Sequence, residues 1–191
     1  MKKVIIIGAS GSLVGPIIKE LEKQNDIHLT LFLRNKSRLK ESVIKNSVIV
    51  EGDVMDYPAV KDAINGHDIV YVNLAGDLSA MVTNIVKAMQ ETGVERIIAI
   101  SSIGIYDKPL RSVLIPYRAL ADIIEASNLA YTILRPDWFT DSNEIDYTLT
   151  QKGEAETGSA ISRKSIARFI SKLIENPNLH VKENLGISRP N

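Results

Sequence analysis

Short runs that are apolar at every position alternate along this chain with longer segments whose apolar residues recur every three or four places. Residues 4–7 (Val-Ile-Ile-Ile) have the first pattern, expected of a parallel strand buried on both faces. Residues 13–23 have the second, with Leu13, Ile17, Ile18 and Leu21 on one helical stripe. The alternation continues with strands predicted at residues 29–33, 48–50, 69–72, 97–100 and 131–134. Helices are predicted between them. One spans 57–65, with Pro58 in its first turn. The next starts at Asp77 as cap, carries the stripe Met81, Val82, Ile85, Val86 and Met89, and stops at Gly93. A loop containing Pro109 and Pro116 precedes a helix at 117–126, and Ser162 caps a last helix at 164–174, ended by Asn176-Pro177. Residues 137–159 are polar and irregular and are expected to be loops.

Alternating strands and helices without long linkers predict an open, doubly wound parallel sheet with helices on both faces, a three-layer α/β/α architecture. At 191 residues, 45% hydrophobic, a single domain over 1–191 is expected. The segment near 137–162 would form a small lid beside the carboxyl ends of the strands, where such sheets bind ligands.

The sharpest local signal is the junction of the first strand and helix, Gly8-Ala9-Ser10-Gly11-Ser12-Leu13-Val14-Gly15. Gly8 permits a tight turn off the strand. Gly11 lets the backbone approach a pyrophosphate, whose charge then rests on the free N–H groups of the following helix. A third glycine, expected at position 14, is replaced by Val14, and Gly15 falls one residue late. This is the layout of a dinucleotide site, although a glycine turn can be purely structural.

Composition narrows the chemistry. Lys plus Arg equals Asp plus Glu at 23 each, so no net charge favours nucleic acid or an anionic membrane as partner. The absence of cysteine excludes disulfides, thiolate metal sites and a cysteine nucleophile. His28, His67 and His180 lie far apart with no ligand spacing, so no metal site is expected. No Gly-x-Ser-x-Gly elbow is present. Without a membrane-length apolar segment or a signal-peptide pattern, a cytoplasmic protein is expected.

The second strand ends in Arg34-Asn35-Lys36-Ser37-Arg38 instead of an acidic residue. Arg34 can hold the 2′-phosphate of NADP(H) bidentately, with Lys36 or Arg38 adding charge, although an exposed basic loop reads the same. NADP(H) is therefore the expected cofactor, with NAD(H) as the alternative. Asp53 and Val54 can border an adenine, or Asp53 can be a turn residue after Gly52. Leu74, Ala75 and Gly76 are small enough to let a cofactor backbone pass. Ser101 and Ser102 end the fifth strand, where a hydroxyl would face the nicotinamide or a substrate carbonyl. Arg135-Pro136-Asp137-Trp138-Phe139 follows the sixth, and its aromatics can wall a pocket or simply pack.

These residues, with Gly52-Asp53-Val54, residues 126–136 (Ala-Ser-Asn-Leu-Ala-Tyr-Thr-Ile-Leu-Arg-Pro) and residues 161–167, make the chain similar to atypical short-chain dehydrogenases/reductases. The resemblance is to the NmrA-like, NAD(P)H-binding oxidoreductase group and covers essentially the whole length. It implies a Rossmann fold in which Gly8, Ser10, Gly11, Ser12 and Leu13 cradle a pyrophosphate. Arg34, Asp53, Val54, Leu74, Ala75, Gly76 and Arg135 would line the rest of the dinucleotide. The wider superfamily uses Tyr-x-x-x-Lys, in which lysine lowers the pKa of a phenol ordinarily near 10. Here Tyr117 is followed four residues later by Ala121. Aligned through Ser127 and Arg135-Pro136, Tyr117 falls on the lysine position and Val113 on the tyrosine. The literal match Tyr57…Lys61 lies on the adenine side and is a coincidence. Ser101 and Tyr117 are the catalytic candidates, Tyr106 a further proton donor, and Arg118 either an anion holder or a helix-surface residue. The resemblance leaves two functions open: an NADPH-dependent oxidoreductase on a small carbonyl, quinone or flavin-like acceptor, or an NADP-binding redox sensor without turnover. The sensor would act on a protein partner, and a homodimer is compatible with either. A fold that has lost cofactor binding is a third reading.

Overall fold

The computed structural model describes residues 1–39 and 46–191. The first apolar run becomes strand β1 (Lys2–Ile7), whose last four residues are wholly buried. Helix α1 (Val14–Leu21) follows directly and buries Val14, Ile17, Ile18 and Leu21. The residue in the cap position before it, Leu13, makes no side-chain hydrogen bond to the helix, so packing of that stripe holds the helix, at about 1.5–3 kcal/mol per buried aliphatic side chain. Then come β2 (Ile27–Leu33), β3 (Ser47–Glu51), α2 (Tyr57–Ile64), β4 (Ile69–Val72), α3 (Leu78–Thr92), β5 (Arg96–Ile100), α4 (Ile115–Ala126) and β6 (Ala130–Pro136).

The caps act as their residue types require. The Asp56 and Asp77 carboxylates accept from the N–H groups of Ala59 (3.3 Å) and Ala80 (3.2 Å), satisfying first-turn donors. Gly93 ends α3 at φ +73°, a left-handed position open to glycine. Pro116, predicted in the preceding loop, sits inside the first turn of α4, where its missing N–H has no acceptor to lose.

The eight-stranded sheet has the order β3-β2-β1-β4-β5-β6-β10-β8, counting β8 (Thr148–Thr150) and β10 (Glu183–Ser188). All neighbours are parallel except β8, which runs antiparallel to β10 at the edge. Ile7 stands opposite Phe32 of β2 on one side and Val72 of β4 on the other, so the winding direction reverses between β1 and β4. Val4 and Ile6 face one core, with α1 and α5 (Arg163–Glu175). Ile5 and Ile7 face a second, with α2, α3 and α4. This is the predicted three-layer α/β/α Rossmann architecture.

The prediction differs from the structure after residue 136. The region expected to be loops contains β7 (Phe139–Thr140) and β8, and β7 pairs in parallel with β9 (Ile161–Ser162) in a separate two-stranded sheet. The last strand, β10, had no predicted counterpart. Ser162 does cap α5, accepting from Ser165 N–H at 2.9 Å. Among the described residues no helix is long and apolar enough to cross a membrane.

Candidate functional site

The turn between β1 and α1 is shaped from across the sheet. Gly8 has φ +88°, and its N–H and that of Ala9 both reach the carbonyl of Phe32, at 3.1 and 3.3 Å. A Cβ on Gly8 would lie 2.1 Å from the carbonyl oxygen of Asn73, at the end of β4. A Cβ on Gly11 would lie 2.1 Å from the Asn73 side-chain Nδ2. Both glycines are thus required by Asn73, beyond the turn geometry read from the sequence. Nothing lies within 4 Å of a Cβ on Gly15, so the late third glycine has no packing role, and buried Val14 fills the helix–sheet contact. The N–H groups of Ser10, Ser12 and Leu13 donate to no protein acceptor among the described residues, which leaves them available at the mouth of α1.

A cleft of about 900 Å³ opens at the carboxyl ends of the strands, over the β1/β4 reversal. It is lined by Gly8, Ser10, Gly11, Ser12, Arg34, Asp53, Val54, Leu74, Ala75, Ser101 and Tyr117 from among the predicted residues. Three of the residues predicted to cradle or line the dinucleotide do not line it. Leu13 is buried in the core under α1, Gly76 stands exposed beyond the rim, and Arg135 is drawn into the interior.

At one end, Arg34, Asn35 and Arg38 border the cleft. Asn35 Oδ1 accepts from Ser37 N–H (2.9 Å) and caps a short 3-10 turn over Lys36–Arg38. Lys36, predicted to share in phosphate binding, instead gives its backbone N–H (2.9 Å) and its ammonium (3.4 Å) to Glu51. The backbone N–H, then the ammonium, hold that carboxyl below its usual range. Arg34 and Arg38 have no carboxylate partner within 4 Å among the described residues. Asp53 lines the cleft, and its Oδ1 accepts from Met55 N–H at 2.9 Å, a turn contact. Asn84 of α3 fixes the neighbouring backbone by donating to the Val54 carbonyl at 2.9 Å.

The other end is walled by Ser101, Ile103, Arg111, Leu114, Tyr117 and the Trp138-Phe139 pair, with Trp138 75% exposed on the rim. Ser101 is buried, and its hydroxyl donates to the Tyr117 carbonyl at 2.9 Å. That bond ties the start of α4 to β5 and commits the serine proton, leaving Ser101 as an acceptor toward the cleft. Tyr106 is turned away from the cleft. Its Oη accepts from Asn184 Nδ2 at 2.8 Å, and its ring is covered by the cations of Arg118, Lys152 and Arg135 at 4.7, 5.0 and 5.3 Å. Burial raises its pKa, and Glu125 adds to the rise, so the phenol stays protonated. Arg118 pairs with Asp122 at 2.8 Å on the surface of α4, as a helix-surface residue would.

Arg135 is 1% exposed. Its Nε donates to Glu156 at 2.7 Å, and Nη1 donates to the carbonyl and side-chain oxygens of Asn184 at 2.7 and 2.5 Å. These bonds join β6 to β10, so the side chain that looked like a cleft cation is a structural one. Sequence reasoning passed over Phe32, Ile103, Arg111 and Leu114. They carry no motif, and only the fold brings them to the cleft. Among the described residues no cluster of three or more His, Asp or Glu could hold a metal.

A family model described as NAD(P)H-binding matches residues 8–177. A Rossmann-fold NAD(P)-binding family protein from Shigella flexneri is 42% identical and superposes with a TM-score of 0.91, covering 100% of this chain and 94% of that one. A short-chain dehydrogenase/reductase from Veillonella parvula, solved in complex with NADP, is 24% identical, with a TM-score of 0.88 over 99% and 95% of the two chains. The Saccharomyces cerevisiae UPF0659 protein YMR090W is 26% identical over 99% of this chain and 94% of its own.

Proposed function

This chain belongs to the NAD(P)H-binding family, and from that premise we propose that it is an NADPH-dependent oxidoreductase acting on a small carbonyl, quinone or flavin-like acceptor. The observation that carries the reading is the pair Arg34 and Arg38 at one end of a cleft whose other end holds a tyrosine, Tyr117. Two guanidinium groups beside the end of β2 suit a 2′-phosphate, with its fork-shaped hydrogen bonding. The NADP bound to the Veillonella parvula neighbour supports the same choice.

The residues fit a dinucleotide. The free N–H groups of Ser10 and Ser12 would hold the pyrophosphate at the positive end of α1, and Gly8 and Gly11 keep the floor low beneath it. Asp53 and Val54 would border the adenine, with Leu74 and Ala75 along the cofactor's path. Bound NADPH supplies a hydride to the acceptor. Tyr117 would give a proton to the reduced oxygen, and Ser101, its own proton held by the Tyr117 carbonyl, would orient the pair.

A second reading has an observation of its own. No lysine lines the cleft among the described residues, so the Tyr-x-x-x-Lys pair of the superfamily is not assembled around Tyr117. That favours a redox sensor which binds NADP(H) without turnover and signals to a protein partner. The deciding experiment follows NADPH oxidation with a panel of quinones, aldehydes and flavins. Turnover that falls in Tyr117→Phe supports the enzyme. Tight NADPH binding with no oxidation by any acceptor overturns it in favour of the sensor.

A further inference from the structure

The loop after β5 forms the wall of the cleft at its acceptor end, through Ser101, Ser102 and Ile103. Two successive N–H groups of this loop are tied down. Ile103 N–H donates to the Pro136 carbonyl at 3.1 Å, and Gly104 N–H donates to Glu156 Oε2 at 3.0 Å. Gly104 itself has φ +80°, a conformation glycine tolerates and other residues resist. Glu156 comes from the far side of the chain's last third, and its other oxygen, Oε1, accepts from buried Arg135 at 2.7 Å. One carboxylate therefore bridges the end of β6 and the acceptor wall.

We propose that Glu156 is a positioning residue: it latches the segment 151–160 onto the Ser101–Asp107 loop and so fixes the wall against which the acceptor lies. The proposal rests on the oxidoreductase reading for the identity of that wall. Both carboxylate oxygens are used as acceptors, one for each donor. Glutamine, of the same size, offers one acceptor and would set an NH₂ group against either Gly104 N–H or the Arg135 guanidinium. The Arg135 pair is largely shielded from water, with side-chain exposures of 1% and 20%, so the lost interaction is not replaced by solvent. The same segment has a second tether, Ser188 Oγ donating to the Thr157 carbonyl at 2.6 Å, which does not touch the loop.

The test compares the full-length wild type, Glu156→Gln and Ser188→Ala. Amide exchange by NMR should show Gly104 N–H exchanging about ten-fold faster in Glu156→Gln, measured relative to core amides such as Ile6 and Ile98. Ser188→Ala should leave Gly104 unchanged. Trp138 is the chain's one tryptophan and stands on the cleft rim, so its fluorescence reports binding of a probe acceptor, 9,10-phenanthrenequinone, to the NADP⁺-loaded protein. Its dissociation constant should rise about five-fold in Glu156→Gln, with NADP⁺ affinity held within about two-fold. Unchanged exchange at Gly104, equal effects in the two variants, or parallel loss of quinone and cofactor each overturn the proposal. A wild type that binds NADP⁺ but no quinone counts against the acceptor reading instead, and the Gly104 exchange comparison still decides the latch.

Discussion

The backbone carbonyl of Asn73 lies 2.1 Å from where a Cβ on Gly8 would stand, and the side-chain amide of Asn73 is as close to a Cβ on Gly11. The two glycines therefore answer to different parts of one residue. At Gly8 the obstacle is backbone and φ is +88°, so neither clash nor strain can relax. At Gly11 the obstacle is a side chain that can rotate. Gly8→Ala is expected to lose about 3 kcal/mol or more of stability and Gly11→Ala about 1 kcal/mol. The Gly11→Ala loss should largely vanish in an Asn73→Ala background, measured as a double-mutant cycle by urea unfolding. Equal losses at both glycines, unaffected by Asn73→Ala, would contradict this account.

Arg34 is expected to select the phosphate. Arg34→Ala should weaken NADPH binding about ten-fold and NADH binding by less than about three-fold, as read by titration of nicotinamide fluorescence. Equal weakening for both cofactors would defeat the assignment.

Arg135 should behave in the opposite way. Its hydrogen bonds run to Glu156 and Asn184, and it does not line the cleft. Arg135→Met removes a buried cation and orphans the half-buried Glu156, so a loss of about 3 kcal/mol in unfolding free energy is expected. NADPH affinity of the folded variant should stay within about two-fold of wild type. A large affinity loss at unchanged stability would return Arg135 to the cofactor site.

What was legible in the sequence follows from these contacts. The run at residues 69–72 is hydrophobic throughout because β4 is buried on both faces, and its bounds can be read directly from the sequence. The start of α5 was legible because a serine cap acts within three residues. The interior role of Arg135 is not legible in the sequence because its partners lie 21 and 49 residues away, and a lone arginine at a strand end says nothing of them. Strand β10 was missed for the same reason. Its Asn184 and Ser188 are polar yet buried, satisfied in part by Arg135 and by the Thr157 carbonyl, so the sequence shows only Leu185 and Ile187 in alternation and lacks the continuous apolar run of the other buried strands. Asn73 stood in view beside Leu74 and Ala75, but its bearing on both glycines is a contact across two strands.

His67 predicts a pH effect. Ring Nδ1 lies 3.2 Å from the Ile64 carbonyl, which can only accept, so Nδ1 carries the proton and Nε2 accepts from Thr30 Oγ at 2.8 Å. Burial, helped by the charge of Lys3, lowers its pKa below the ordinary 6.5. A histidine held neutral in the fold binds its proton more readily when unfolded. Its contribution is therefore complete above about pH 6.5 and is lost as pH falls from there toward the lowered folded value. Urea midpoints of wild type should drop between pH 7 and pH 5 more steeply than those of His67→Gln. Parallel slopes would show that His67 does not titrate in this window.

Arg96 predicts where the missed strand is secured. It is 5% exposed, and its guanidinium donates to the carbonyls of Ile97 (3.1 Å), Ala130 (2.8 Å) and Leu179 (3.2 Å) and to Thr132 Oγ (2.8 Å). Thr132 in turn donates to the His180 carbonyl at 2.7 Å. Burial lowers its pKa to about 10, so it remains a cation at neutral pH, neutralised by carbonyl dipoles in place of a carboxylate. The group clips β5 and β6 to the turn that delivers the chain into β10. Arg96→Met keeps much of the volume but strands those carbonyls, and a loss of about 2–4 kcal/mol is expected. The loss should be local before it is global. Amides of Leu185 and Ile187 should exchange faster in the variant while those of Ile6 and Val70 keep their protection under native conditions. Uniform acceleration across the sheet would mean that Arg96 supports the fold as a whole and not the docking of its last strand.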